Sequence, residues 1–310
     1  RRRKRAHACA HRASPAAAGR RAQFRQAGGP AVSSTNPAAS RFETVVDEIG
    51  IEIGVYNEWR LKAVYEPVFA LSGKTFHAVA ARGSMRAVVY GHDIDLDLFR
   101  SAVEPGSRRR IAGIEALLCL RNLAQTFVPD LKLILDLDLG VAVPPVRLRA
   151  GARVLRAEIA RLDLDPTDVF VCLSRLERRG RAALQNAAAA LCDAGIGVAV
   201  VESGEGIADL AGFFADLITI DAGWFAAVAR RPETVQLLGA LVRSYRAHGA
   251  RVLIEGIESS EHLAIAVDCG ADWLCGPLLA SAALAGSIFP EEPVDLDALL
   301  DEPRVIPLFR

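Results

Sequence analysis

The chain has 310 residues, 51% hydrophobic and 24% charged, enough for one large domain with a substantial core or two small ones. Its formal net charge of zero hides a division, because residues 1–42 hold ten Arg and Lys and no Asp or Glu, leaving 27 basic against 37 acidic residues from 43 onward. A body at net −10 argues against a nucleic-acid-binding domain, and no later run reaches the ~20 apolar residues of a membrane span.

Residues 1–42 are rich in Ala, Arg, Ser and Pro and poor in large apolar side chains, too little to bury for a fold of their own. They read as a disordered basic arm or the product of a start codon set too far upstream. A patch for acidic lipid or nucleic acid and a transit-like segment stay open beside those readings. The segment lacks the apolar stretch of a secretory signal, so a cytoplasmic location is expected. The six cysteines, at 9, 119, 172, 192, 269 and 275, form no Cys-x-x-Cys pair and read as reduced thiols, mostly small core residues.

From Arg41 to Ala63 the pattern mixes helix-like periodicity with an apolar patch. Short apolar runs then predict strands at 64–70, 75–81, 131–137, 168–174, 197–201, 217–220, 252–255 and 273–275. The first two are joined by "LSGK", a hairpin turn. Helical patterns cover 107–127, 146–161, 181–194, 206–214, 222–248 and 259–269. Alternating buried strands and helices predict a parallel sheet covered by helices. Eight strands in about 260 residues suit a β/α barrel; a doubly wound sheet is the open alternative. The body, 43–300, reads as one barrel domain and 301–310 as a C-terminal tail.

In a barrel, chemistry sits at the C-terminal ends of strands and in the loops after them. "GIEALLCLR", residues 113–121, contains a tripeptide that names a bacterial enzyme family, yet Glu115 falls inside a predicted helix. Ile111, Ile114 and Leu118 form that helix's apolar face, while Arg108, Glu115, Asn122 and Thr126 recur on a polar one. Glu115 is therefore expected to be a solvated helix residue.

The strand-end residues tell more. "VYEPVFALSGKTFHAVAARG", "ALCDAGIGVAVVESGEGIADLAGFFADLITID" and "GARVLIEGIESSEHLAIAVDCGADWLCGPLLASAA", in that order and spacing, resemble the EAL-domain family of cyclic-di-GMP phosphodiesterases from Val64 to about Ala283. The resemblance implies a TIM-type (β/α)8 barrel with an antiparallel first strand. It also implies hydrolysis of cyclic di-GMP with two Mg²⁺ or Mn²⁺ ions, which hold and acidify an attacking water.

Carried over residue by residue, that pattern is incomplete here. With Arg82 in the place of the signature arginine, the family's metal-binding Glu falls on Ala78, within Ala78-Val79-Ala80. Another Glu falls on Cys172 and its partner three residues on falls on Arg175; the paired aspartates fall on Val201 and Glu202. The catalytic Lys falls on Thr219, and no Lys occurs after residue 132. The closing Gln falls on Cys275. Asp136, Glu202, Asp221 and Glu255 remain as vestigial oxygen donors, and Glu255 and Glu258 as vestiges of the catalytic loop.

The expectation is a degenerate, non-hydrolytic member with no cofactor, acting as a protein-interaction or regulatory domain. The alternatives are a metal-independent cyclic-di-GMP receptor and an active, Mg²⁺- or Mn²⁺-dependent phosphodiesterase. A receptor would use Arg82 and the Glu66-Pro67 stretch against the ligand, although Glu66 is an acid facing a dianion. Arg82 is equally placed to pair Asp136 or Glu202, and Asp221 to cap a helix. A protein partner is expected, and a homodimer is implied by resemblance alone.

Overall fold

The computed structural model describes residues 42–104, 106–123, 130–138, 143–174, 180–204, 215–287 and 293–300. The expected helix at 206–214, Arg175, Thr126, Cys9 and the 301–310 tail lie outside the described residues, as do 1–41 of the arm. Phe42, assigned to that arm, already opens the first strand.

Eight strands close a barrel. They are β3 (Trp59–Ser72), β4 (Thr75–Val89), β6 (Lys132–Asp138), β7 (Val169–Ser174), β8 (Gly197–Glu202), β9 (Leu217–Ile220), β10 (Arg251–Ile254) and β11 (Trp273–Leu274). From β4 to β11 neighbours run parallel, whereas β3 is antiparallel to both β4 and β11. This is the expected barrel with an antiparallel first strand, not the doubly wound sheet. The β3–β4 turn passes through Gly73 at φ +62, as "LSGK" predicts.

Helices α3 (Pro145–Arg161), α4 (Gly180–Asp193), α5 (Ala222–Ala229), α6 (Pro232–Ala247) and α7 (Ser260–Asp268) follow the strands in alternation. The single helix expected over 222–248 is two. Pro232 opens α6 at its first turn, where a proline costs nothing, but it cannot continue a preceding helix. A short α8 (Leu296–Leu300) closes the described chain.

Val68, Ala80, Ile134, Phe170, Cys172, Ala199, Leu217, Leu253, Trp273 and Cys275 fill the barrel's interior, and a larger cluster packs the helices on its outside. Trp273 meets the Phe170 ring edge to face at 5.9 Å and carries the Arg251 guanidinium 5.3 Å above it. That group closes the N-terminal end of the barrel.

The largest departure from expectation is at 42–63 and 84–94. Here β1 (Phe42–Val46), β2 (Glu52–Tyr56), the first half of β3, the second half of β4 and β5 (His92–Ile94) make an antiparallel sheet. Because β4 pairs β6 only through Gly83, this platform stands beyond the barrel's C-terminal mouth. One of its faces packs against α1 (Leu96–Ala102) and α2 (Arg108–Leu123) through Tyr56, Leu61, Met85, Ala87, Phe99 and Leu118.

Helix α2 is therefore covered on two sides, which corrects the reading of its polar stripe. Ile111 and Leu118 are buried as expected, but Asn122 is fully buried as well. Its amide donates to the Glu52 carbonyl (2.9 Å) and accepts from the Glu52 N–H (2.8 Å). Glu115 is not solvated either: it is half-buried and pairs with Arg100 at 3.3 Å, and burial raises its pKa against the pull of that arginine.

Candidate functional site at the barrel mouth

Strand alternation decides which side chains reach the mouth. On β3, Glu66 shares the inner face with Val68; on β4, Arg82 with Ala80; on β6, Asp136 with Ile134; after β10, Glu255 with Leu253. These four converge. Arg82 Nη1 donates to Glu255 and Nη2 to both Asp136 oxygens, at 3.1 and 3.2 Å. Burial alone would depress the Arg82 pKa, but Glu255 and Asp136 outweigh it and hold it well above the ordinary value. Glu255 is raised by burial in spite of Arg82, and Glu66 likewise, with Arg82 opposing the shift.

The loop carrying Glu255 is fixed by glycine. Gly256 adopts φ +75, and a Cβ there would lie 2.6 Å from the Ala222 Cβ, so only glycine lets the loop cross the start of α5. Glu258, further along it, is exposed.

The remaining expected residues do not join the cluster. Val201 faces inward and Glu202 outward; the buried Glu202 carboxylate accepts from the Tyr245 hydroxyl on α6 (2.8 Å) and from the Gly204 N–H (2.8 Å). Tyr245 is raised in pKa by burial and by that bond. Asp221 caps α5, accepting from the Trp224 N–H at 2.9 Å. Pro67 is buried, and alternation puts it on the outer face of β3. A bulge leaves Val79 unpaired, so Val79 packs inside while Ala78 packs against the outer core.

Cys172 and Cys275 sit on the inner surface, fully buried. Cys172 lies 3.7 Å from the Thr219 hydroxyl, and burial pushes its thiol up to about 12. Cys275 is likewise raised by burial. Both are protonated thiols rather than ready soft-metal ligands.

Two hard divalent cations need several convergent oxygens. Among the described residues no group of three His, Cys, Asp or Glu is placed to hold a metal ion. Two of the three mouth carboxylates, Asp136 and Glu255, are already bonded to one guanidinium. The donors described here do not fit a two-metal centre.

Sequence reasoning missed the Tyr245–Glu202 contact and the burial of Asn122. The signal for the first was parity, since Glu202 is one residue past the inward Val201. For the second there was none without knowledge of the platform.

The sequence profile described as the EAL domain matches residues 152–282. Solved structures agree on the fold. EAL enzyme Bd1971, bound to cAMP and cyclic di-GMP, is 16% identical, with a TM-score of 0.58 over 79% of this chain and 64% of its own. The Bacillus subtilis YkuI protein, with an EAL domain and in complex with cyclic di-GMP and calcium, is 17% identical (TM-score 0.62; 72% of this chain, 56% of its own). The PaMucR phosphodiesterase in complex with cyclic di-GMP is 18% identical (TM-score 0.62; 74% and 94%). The chain thus spans less than two thirds of Bd1971 and YkuI but nearly all of the PaMucR structure. No curated protein matches the chain. The fold is an eight-stranded α/β barrel like that of the EAL structures, and the EAL profile match runs from within α3 to just beyond β11. No described helix is long and apolar enough to cross a membrane.

Proposed function

We propose that this chain is a degenerate EAL domain of cyclic-di-GMP signalling that does not hydrolyse the dinucleotide and acts as a protein-interaction or regulatory domain. One observation carries the reading: Arg82 spans Asp136 and Glu255. A guanidinium there supplies the positive charge that a metal would bring, but it delivers no water and acidifies none. The inward positions Ala80, Cys172, Val201 and Thr219 add no carboxylate and no lysine.

The alternative of a metal-independent receptor requires Arg82 to leave two carboxylates for a phosphate. Glu66, Asp136 and Glu255 around a single guanidinium leave the mouth short of positive charge, which disfavours a dianion. The active phosphodiesterase, with Mg²⁺ or Mn²⁺, requires donors beyond those described.

Calorimetric titration of the full chain with cyclic di-GMP, with and without Mg²⁺, tests this. No heat attributable to the mouth is expected in either buffer. Metal-independent binding that disappears in Arg82→Met would make the mouth a receptor; binding only with Mg²⁺ would reinstate a metal site.

A further inference from the structure

The platform's mouth-side face continues the inner wall of the barrel. Register places Glu66 opposite Arg82, Val64 opposite Ser84, Lys62 opposite Arg86, and Arg60 opposite Val88. Directly opposed side chains of an antiparallel pair lie on one face with Cβ atoms about 5 Å apart, and like charges so placed are destabilising. Lys62 and Arg86 are such a pair, both half-buried, with the exposed Arg60 a rung further out.

Compensation is partial. Arg86 has one contact with Asp93, at 3.2 Å; Lys62 and Arg60 have no ion pair among the described residues. The carboxylates of the mouth begin at Glu66, four residues along the strand from Lys62, or roughly 13 Å. On the neighbouring strand Ile53 stands opposite Lys62 and Val55 opposite Arg60. One strand further out Val45 faces Ile53 and Glu43 faces Val55, so the Lys62 rung is apolar on that side and the Arg60 rung ends on an acid two strands away. In a body of net −10, three cations gathered on one wall, with Asp93 at one edge and Glu43 at the other, keep an excess of positive charge that a bound anion would offset.

We propose that Lys62 and Arg86, with Arg60 and the Ser84 hydroxyl at the margins, form a phosphate-binding site on the wall above the barrel mouth. Lys62 supplies a point charge, Arg86 a planar fork turned from Asp93 to the phosphate, and the apolar rungs Ile53, Val55 and Val88 a surface for whatever the phosphate carries. The site uses none of the mouth residues, so it stands whether or not the mouth binds dinucleotide.

The test is calorimetry on the full chain in metal-free buffer at low, fixed ionic strength, with inorganic pyrophosphate and cyclic di-GMP as separate probes. At least one probe is expected to bind, and Lys62→Gln and Arg86→Gln each to weaken it by roughly tenfold or more, the scale of a lost charged hydrogen bond. Arg153→Gln, the same charge change on an exposed position of α3, is expected to leave binding unchanged. Tighter binding of cyclic di-GMP would assign a nucleotide phosphodiester; tighter binding of pyrophosphate would assign a free phosphate. The proposal is overturned if neither probe binds, or if Lys62→Gln binds as wild type or Arg153→Gln weakens equally. Cyclic-di-GMP binding that survives Lys62→Gln but is lost in Arg82→Met would overturn this site and the non-binding mouth together. Absence of binding by both probes would overturn this site alone.

Discussion

Arg82 and Glu255 reach each other across the mouth of the barrel, from β4 to the end of β10, while the same guanidinium holds Asp136 on β6. Three strand ends are tied by one side chain, itself only 22% exposed. Removing Arg82 leaves Glu255, 11% exposed, charged and unpaired, while Asp136, 38% exposed, keeps water. Arg82→Met is therefore expected to lower unfolding free energy by roughly 3 kcal/mol, the low end for a broken buried pair, read from urea denaturation. The pair Arg82→Met/Glu255→Gln should recover part of that loss. Additive losses would mean that the two residues are not coupled.

Glu202 makes a different demand. Its carboxylate serves the Tyr245 hydroxyl and the Gly204 N–H, on the outside of the barrel. Tyr245→Phe is expected to cost about 1–3 kcal/mol, the penalty for a hydrogen bond removed from a buried charge. A thermal melt identical to wild type would say that Glu202 is turned elsewhere, toward the mouth included.

Asn122 anchors the platform to the barrel through both edges of the Glu52 peptide. Asn122→Leu leaves a buried N–H and carbonyl unmet and should cost about 2 kcal/mol. Hydrogen exchange locates the effect: β1 and β2 should lose protection before β7 or β10. Uniform loss would mean that platform and barrel open only as one unit.

The buried thiols set an alkaline limit. Burial raises Cys172 to about 12 from an ordinary value of 9, so the folded state keeps a proton that the unfolded chain releases. Stability is then unaffected below pH 9 and falls as pH rises from 9 toward 12. In denaturation series across that window, Cys172→Ala should show a shallower decline than wild type, although Cys275 and Tyr65, raised by burial too, keep some slope. An unchanged slope would contradict the burial of Cys172.

The barrel was legible because its strands are short apolar runs at regular intervals, each followed by a helical pattern. The mouth was legible where parity agreed with alignment, as for Arg82, Asp136 and Glu255. It misled at Glu202, where one residue of phase turns an acid from the pocket to a helix. At Ala78 a bulge did the same, and a bulge has no signature in a run of Ala and Val. Residues 42–63 resisted reading because β1 is largely exposed and carries little alternation. The polar stripe of α2 predicted solvent where the structure places that platform, since a helix pattern reports polarity and not what covers it.

The proposal that this mouth does not hydrolyse cyclic di-GMP can be tested without any variant. The most direct test incubates the full chain with cyclic di-GMP and excess Mn²⁺ or Mg²⁺ and quantifies the linear dinucleotide chromatographically. No product above the protein-free blank is expected with either metal. Product that accumulates with time and protein concentration, and stops on chelation, would show that a working metal centre exists and that Arg82 does not stand in its place.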